Sequence, residues 1–249
     1  MPKPRLRERI LTYGGPGSGK TNAWMRLAKH LPDSTFYVID TEIGAERSLQ
    51  EYPEIENVVV YPVIDWTDYR KAQKEIMLKA TANDWMVLDM ASAAWKAVQR
   101  DFINQIFDQD MGDYFMQARK KLKKGAESIF GGKDSVLKGW TDWPVINSRY
   151  EDFIMPLVYR SKANLFIASM PDTVSDDDPK DVRALFGPFG VKPAGQKALG
   201  HQPDTLLLFQ YTSLGWTMTT VKDRGGRKYM DHVKVIDFYY QYGKIAGWY

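Results

Sequence analysis

Residues 14–21 read Gly14-Gly15-Pro16-Gly17-Ser18-Gly19-Lys20-Thr21, a complete Gly-x-x-x-x-Gly-Lys-[Ser/Thr] pattern. An apolar run, Ile10-Leu11-Thr12-Tyr13, precedes it. Trp24, Leu27, Ala28 and Leu31 follow at spacings that share one helical face. A strand, a glycine-rich turn and a helix start form the arrangement that holds a nucleoside triphosphate. The glycines let the backbone turn tightly enough to aim its N–H groups at a β-phosphate. Lys20 is placed to reach the β/γ oxygens, and the Thr21 hydroxyl to ligate Mg2+. The plain alternative is a chance glycine-rich turn, and the flanking strand and helix argue against it.

Composition sets the frame for that motif. A chain of 249 residues fits one α/β domain with elaborations, and 44% apolar with 26% charged residues is ordinary for a globular protein. The absence of cysteine excludes disulfides, thiolate metal sites and a cysteine nucleophile. His30, His201 and His232 are too scattered in sequence to suggest a histidine metal site. The first residues are basic but lack the apolar run of a signal peptide, and no stretch approaches about 18 apolar residues. The expectation is a cytoplasmic protein without membrane contact.

Net charge is only +3, but its distribution is uneven. Residues 119–138 carry seven cations (Arg119, Lys120, Lys121, Lys123, Lys124, Lys133, Lys138) against Glu127 and Asp134. Residues 172–181 carry Asp172, Asp176, Asp177, Asp178 and Asp181 against Lys180. Opposed blocks of this kind suit two exposed segments with different partners, and equally two solvated loops.

Short apolar runs predict strands at about 9–13, 35–40, 57–61, 85–89, 164–169 and 204–210, with helices at about 20–31, 67–81 and 145–160. Their alternation predicts a mainly parallel sheet covered on both faces, within a single domain spanning 1–249. Residues 102–144, broken by Gly125, Gly131, Gly132 and Gly139, read as an inserted helix and loop; 171–203 read as a mobile loop. Leu214–Val221 and Lys228–Tyr240 flank the turn signal Asp223-Arg224-Gly225-Gly226-Arg227, which predicts an antiparallel β-hairpin extending the sheet.

Hydrolysis needs a carboxylate for Mg2+ and a group to orient water. Asp89 closes the apolar run Trp85-Met86-Val87-Leu88 and suits the metal role next to Thr21, its alternative being an N-cap for a helix starting near Ser92. Glu42 and Asp40 both follow the strand Phe36-Tyr37-Val38-Ile39, at the edge where open parallel sheets bind ligands. Either can polarise water as a general base, and spacing does not choose between them.

These three segments in order, 14–21, Phe-Tyr-Val-Ile-Asp-Thr-Glu at 36–42 and Trp-Met-Val-Leu-Asp at 85–89, resemble the RecA-like ATPase core. Among its members the chain looks most like the small phage-encoded RecA-like ATPases associated with single-strand annealing and recombination. The resemblance covers roughly 9–100 and 160–230. It implies ATP with Mg2+, Glu42 as catalytic base, Asp89 as the second metal carboxylate and Ser169 at the sensor position. It also implies a finger pair, Lys222 and Arg224, reaching a neighbouring subunit's γ-phosphate; residues i and i+2 of a strand point the same way, so both cations can converge on one anion. A homo-oligomer, ring or filament, follows, with the host cytoplasm as location.

Single-stranded DNA is the partner the resemblance implies. The basic segment 119–138 stands among Tyr114, Phe115, Phe130, Trp140 and Trp143, and the 171–203 segment offers Phe186, Phe189, Lys192 and Lys197. Cations that track phosphates and rings that stack bases are the needs of single-strand binding. The same rings packed as ordinary core are the rival. Two other classes share the P-loop: a packaging or partner-recruiting ATPase without DNA contact, and a small-molecule or nucleoside kinase, which should carry an arginine-bearing lid.

Overall fold

The computed structural model describes residues 7–41, 44–123 and 142–248. Strand β1 (Arg9–Tyr13) leads to α1 (Lys20–His30), β2 (Phe36–Asp40), the short α2 (Gly44–Leu49), β3 (Val58–Pro62) and α3 (Trp66–Lys79). Then come β4 (Trp85–Asp89), α4 (Ala91–Phe107) and α5 (Met111–Lys123). After residue 141 follow α6 (Trp143–Met155), prolonged by a π turn at Pro156–Arg160, and β5 (Asn164–Ser169). The chain continues through β6 (Pro171–Thr173), α7 (Lys180–Phe186), β7 (Val191–Pro193), β8 (Thr205–Thr212), β9 (Gly215–Asp223), β10 (Val233–Lys234) and α8 (Phe238–Ala246).

Eight strands form one sheet in the order β10-β9-β8-β1-β5-β4-β2-β3. The six from β8 to β3 are mutually parallel, and β9 and β10 add antiparallel. This is the architecture expected from the sequence: a mainly parallel sheet flanked by helices, with antiparallel strands at the C-terminal end. Alternation along each strand feeds two cores. On one face, Trp24 and Leu27 of α1 and Phe238 and Tyr242 of α8 cover Ile10, Val38, Val87, Phe166 and Leu207. On the other, side chains of α3, α4 and α6, including Ile76, Val98 and Phe153, cover Leu11, Ile39, Leu88 and Ile167. Among the described residues no helix is long and apolar enough to cross a membrane.

Three expectations change. The C-terminal hairpin is formed by β8 and β9, with Thr212 opposite Gly215, and β10 is only a two-residue return. The aromatic run 238–246 is a helix: Phe238 and Tyr242 bury one face at i, i+4 spacing, and the Asp237 side chain caps it by accepting from Tyr239 N (3.0 Å). Its β-favouring aromatics lose to a cap and a helical period. Residues 171–203, expected as a mobile loop, contain the β6–β7 ladder, helix α7 and two short 3-10 turns. Of the expected insertion at 102–144, α4 runs on to Phe107, where Asp108 turns left-handed (φ 50°) before α5, and 124–141 lie outside the described residues.

A buried polar knot fastens α8 to the start of β1. Glu8, 3% exposed, accepts both Arg227 terminal nitrogens (3.0 and 2.7 Å), the Tyr242 hydroxyl (2.7 Å) and the Trp248 indole N–H (3.3 Å). Removing one partner of a buried ion pair strands the other charge, which costs more than the pair contributes. Arg227→Met is therefore expected to lower stability by about 3–5 kcal/mol, read from urea unfolding followed by tryptophan fluorescence. A loss below about 1 kcal/mol would show that the pair behaves as a solvated surface bridge.

Candidate functional site

Because the strands are parallel, their carboxyl ends share one rim. Asp40 stands in register with Asp89, and Tyr13 with Ser169. The 14–21 loop leaves β1 at this rim and closes tightly on it. A Cβ on Gly14 would stand 2.1 Å from the Phe209 carbonyl oxygen of β8, so only glycine lets the two backbones approach. Gly19, the residue before α1, takes φ 96°, which a side chain would strain. Lys20 is buried and folds back across the loop; its Nζ donates to Gly14 O (2.8 Å), Gly15 O (2.9 Å) and Ser18 Oγ (3.4 Å). The cation is thus held inside the turn.

Asp89 sits at the centre of the rim. Its Oδ2 accepts from the Thr21 hydroxyl (2.9 Å) and from the Trp24 indole N–H (3.0 Å). Burial pushes its carboxyl up from the usual carboxylate range, and the hydrogen bonds from Trp24 and Thr21 oppose that shift. Asp89 does not cap α4: Met90 holds the N-cap position, with no side-chain cap bond. A hydroxyl and a carboxylate, both hard oxygen donors, therefore meet at the mouth of the loop.

The neighbouring strand is laced to the same point. Thr41 N donates to Asp89 O (3.0 Å), and Met90 N to Thr41 Oγ1 (3.3 Å). Asp40, the competitor for the base role, is buried, and its Oδ2 accepts from Ala45 N (3.0 Å) at the start of α2. Glu42 itself lies outside the described residues, immediately after the laced Thr41.

Other expected residues go elsewhere. Ser169 is fully buried and its hydroxyl donates to Ala194 O (2.6 Å), leaving it no aim at a phosphate. Lys222 and Arg224 do point to one place: Lys222 Nζ donates to Gly200 O (2.9 Å) and Arg224 Nη2 to His201 O (2.7 Å). That place is far from the chain's own loop. Because β9 runs antiparallel, Arg224 N bonds Asp204 O while Asp204 N bonds Arg9 O. Arg224 is therefore level with the foot of β1, about 13 Å of strand from Tyr13.

The described rings offered for nucleic acid are mostly engaged internally, and one of the offered cations is paired. Trp143 stacks on Trp95 (6.1 Å, 18°), Phe107 packs on Tyr114 (4.5 Å), and Phe186 is buried against Tyr13. Lys192 is paired with Asp178, which explains one member of the acidic run. Phe130, Trp140 and Lys124, Lys133 and Lys138 lie outside the described residues.

Two site tryptophans escaped the sequence reading. Trp24 was legible only as helix core; the available signal was that a buried indole N–H requires an acceptor. Trp216 reaches the loop from β9, donating its indole N–H to Gly17 O (2.8 Å), a pairing that no local pattern announces.

No protein-family model matches the chain, and no curated protein matches it. Solved structures similar to it include the RadB recombinase (TM-score 0.49, 10% identity, covering 88% of this chain and 82% of that one). They also include an ATP synthase subunit, NeqB, from Nanoarcheaum equitans (0.44, 10%, 84% and 47%). A third is a type III secretion system ATPase of pathogenic bacteria (0.40, 14%, 82% and 51%). This chain spans about half the length of the latter two.

Burial, with Arg224 close by, lowers the Lys222 ammonium from its ordinary 10.5 to about 8. The folded protein thus releases this proton before the unfolded chain does. The cost of the charge is complete below pH 8 and is relieved as pH rises from 8 towards 10.5. Between pH 7 and pH 10, the stability difference between wild type and Lys222→Met should shift in favour of wild type. A pH-independent difference in urea midpoints would place Lys222 in a solvated setting.

Proposed function

We propose that the chain is a RecA-like, Mg2+-dependent ATPase that hydrolyses ATP as a homo-oligomer and acts on single-stranded DNA. The observation that carries the ATPase role is the hydrogen bond between Thr21 and Asp89 at the mouth of a closed glycine loop. Thr21 and Asp89 offer the hard oxygen donors that would hold a divalent cation shared with the phosphates of a bound nucleotide. That is the habit of Mg2+. When bound, the ion supplies charge neutralisation at the β/γ oxygens.

The chain's own residues have separable duties in this scheme. Loop N–H groups and Lys20 bind phosphate, Lys20 exchanging carbonyl for phosphate oxygens. Thr21 and Asp89 hold the metal, and Glu42 takes a proton from the attacking water. Lys222 and Arg224 serve the γ-phosphate of a neighbouring subunit. The basic segment 119–138 is the proposed contact for single-stranded DNA, resting on its charge rather than on the aromatic residues packed inside.

Lys20→Ala should abolish Mg-ATP binding by calorimetry. Glu42→Gln should leave binding within a few-fold and reduce turnover by roughly 10²–10⁴-fold; unchanged turnover removes Glu42 from the chemistry. Arg224→Ala should bind ATP yet hydrolyse it about 10³-fold more slowly or worse. Mixing it with Glu42→Gln should restore part of the rate, because a mixed interface then combines an intact base with an intact finger. Absence of rescue under subunit exchange would count against action in trans. Turnover should rise with an oligonucleotide and fall with salt; DNA-independent turnover would favour the packaging or partner-recruiting role instead.

A further inference from the structure

The β8–β9 hairpin leaves two large rings in the open beside the loop. Tyr211 is 70% exposed and Trp216 51%, and they are cross-strand partners in an edge contact (centroids 5.4 Å, planes 70° apart). What sets this pair apart from other exposed rings is that two lie side by side and one is fixed against the loop. Trp216 is fixed: its N–H is tied to Gly17 O (2.8 Å), and its Cδ1 lies 3.9 Å from where a Cβ on Gly19 would stand. The indole therefore rests against the turn proposed to cradle phosphate.

The sheet order gives the direction. The loop follows β1; Asp89 stands on β4 to one side, and Trp216 on β9 to the other. With its metal-bound end directed towards Asp89 and Thr21, a triphosphate leaves its sugar and base on the Trp216 flank. The indole's anchoring hydrogen bond and the Tyr211 prop hold one flat apolar face ready without further ordering, which favours binding.

We infer that Trp216, braced by Tyr211, is the stacking platform for the nucleobase of the bound nucleotide, and that a purine suits it best because its π-face is larger. This rests on the nucleotide role proposed for the loop, and one set of titrations separates the two. Wild type, Trp216→Ala, Trp216→Phe and Lys20→Ala are titrated calorimetrically with Mg-ATP, Mg-CTP and Mg-tripolyphosphate, the last lacking a base. Wild type should bind ATP more tightly than CTP, and both more tightly than tripolyphosphate. Trp216→Ala should lose about 5- to 150-fold in ATP affinity, the range expected for one base on one ring, and hold tripolyphosphate within about twofold. Trp216→Phe, which keeps a ring but not the N–H, should retain most of the ATP affinity.

Unchanged ATP affinity in Trp216→Ala overturns the platform, and the hairpin rings then serve another partner. An equal loss for ATP and tripolyphosphate also overturns it, since the indole would then only shape the loop. Wild type that binds tripolyphosphate as tightly as ATP keeps the phosphate site and sinks the platform. Wild type that binds none of the three ligands removes the nucleotide role itself.

Discussion

The site is organised around a buried carboxylate that must be satisfied. Asp89 ends a strand whose residues are all buried, and an ionised carboxylate there is costly unless hydrogen bonds replace lost water. The donors come from one helix: Thr21 and Trp24 are three residues apart on α1, hence on one face, and both reach the same oxygen. Since β5 lies between β1 and β4, α1 must cross over β5 to bring its first turn to β4. The bond that satisfies Asp89 therefore also sets the tilt of the helix that closes the loop. Thr41 adds a stitch from the next strand to the backbone of Asp89 and Met90, so α1 and the end of β2 are both tied to the end of β4.

That dependence explains what the sequence could and could not disclose. The loop was legible because its glycines answer local demands: Gly14 must let β8 approach, and Gly19 must adopt a positive φ. The parallel strands were legible because a strand buried on both faces is a short unbroken apolar run; β3, the partly exposed edge strand, carries such a run of valines as well. The helix 238–246 was not, because Phe, Tyr and Trp favour strands and the deciding features were a cap at Asp237 and contact with a distant face. The ladder and helix within 171–203 were hidden for a related reason. Their order depends on long-range partners, such as Lys192 with Asp178 and Ser169 with Ala194, that no local period records.

Site residues divide along the same line. Lys20, Thr21 and Asp89 are brought together because each sits at the end of an element that the sequence itself marks. Trp216 joins them only because β8 pairs with β1, which carries the β8–β9 hairpin to the side of the loop. Register between non-adjacent segments is set by side-chain packing across the sheet, and a single sequence does not expose it. The aromatic residues around the basic segment show the converse: composition suggested stacking surfaces, and Trp143, Tyr114 and Phe186 are instead used for packing.

The two ends of β9 now bear on different parts of the proposed cycle. Its first residues flank the loop, while Lys222 and the adjoining Arg224 lie at the opposite end of the sheet, bonded to the Gly200 and His201 carbonyls. A strand is too stiff to bring its far end back to its own loop, so no local motion delivers these cations to the chain's own γ-phosphate. In the proposed function the phosphate they meet belongs to another copy. The carbonyls that hold them are a resting place of modest strength, because a neutral acceptor is weaker than a phosphate oxygen. In the proposed scheme assembly is therefore what completes the site: one copy supplies the loop, Thr21 and Asp89, and its neighbour supplies Lys222 and Arg224.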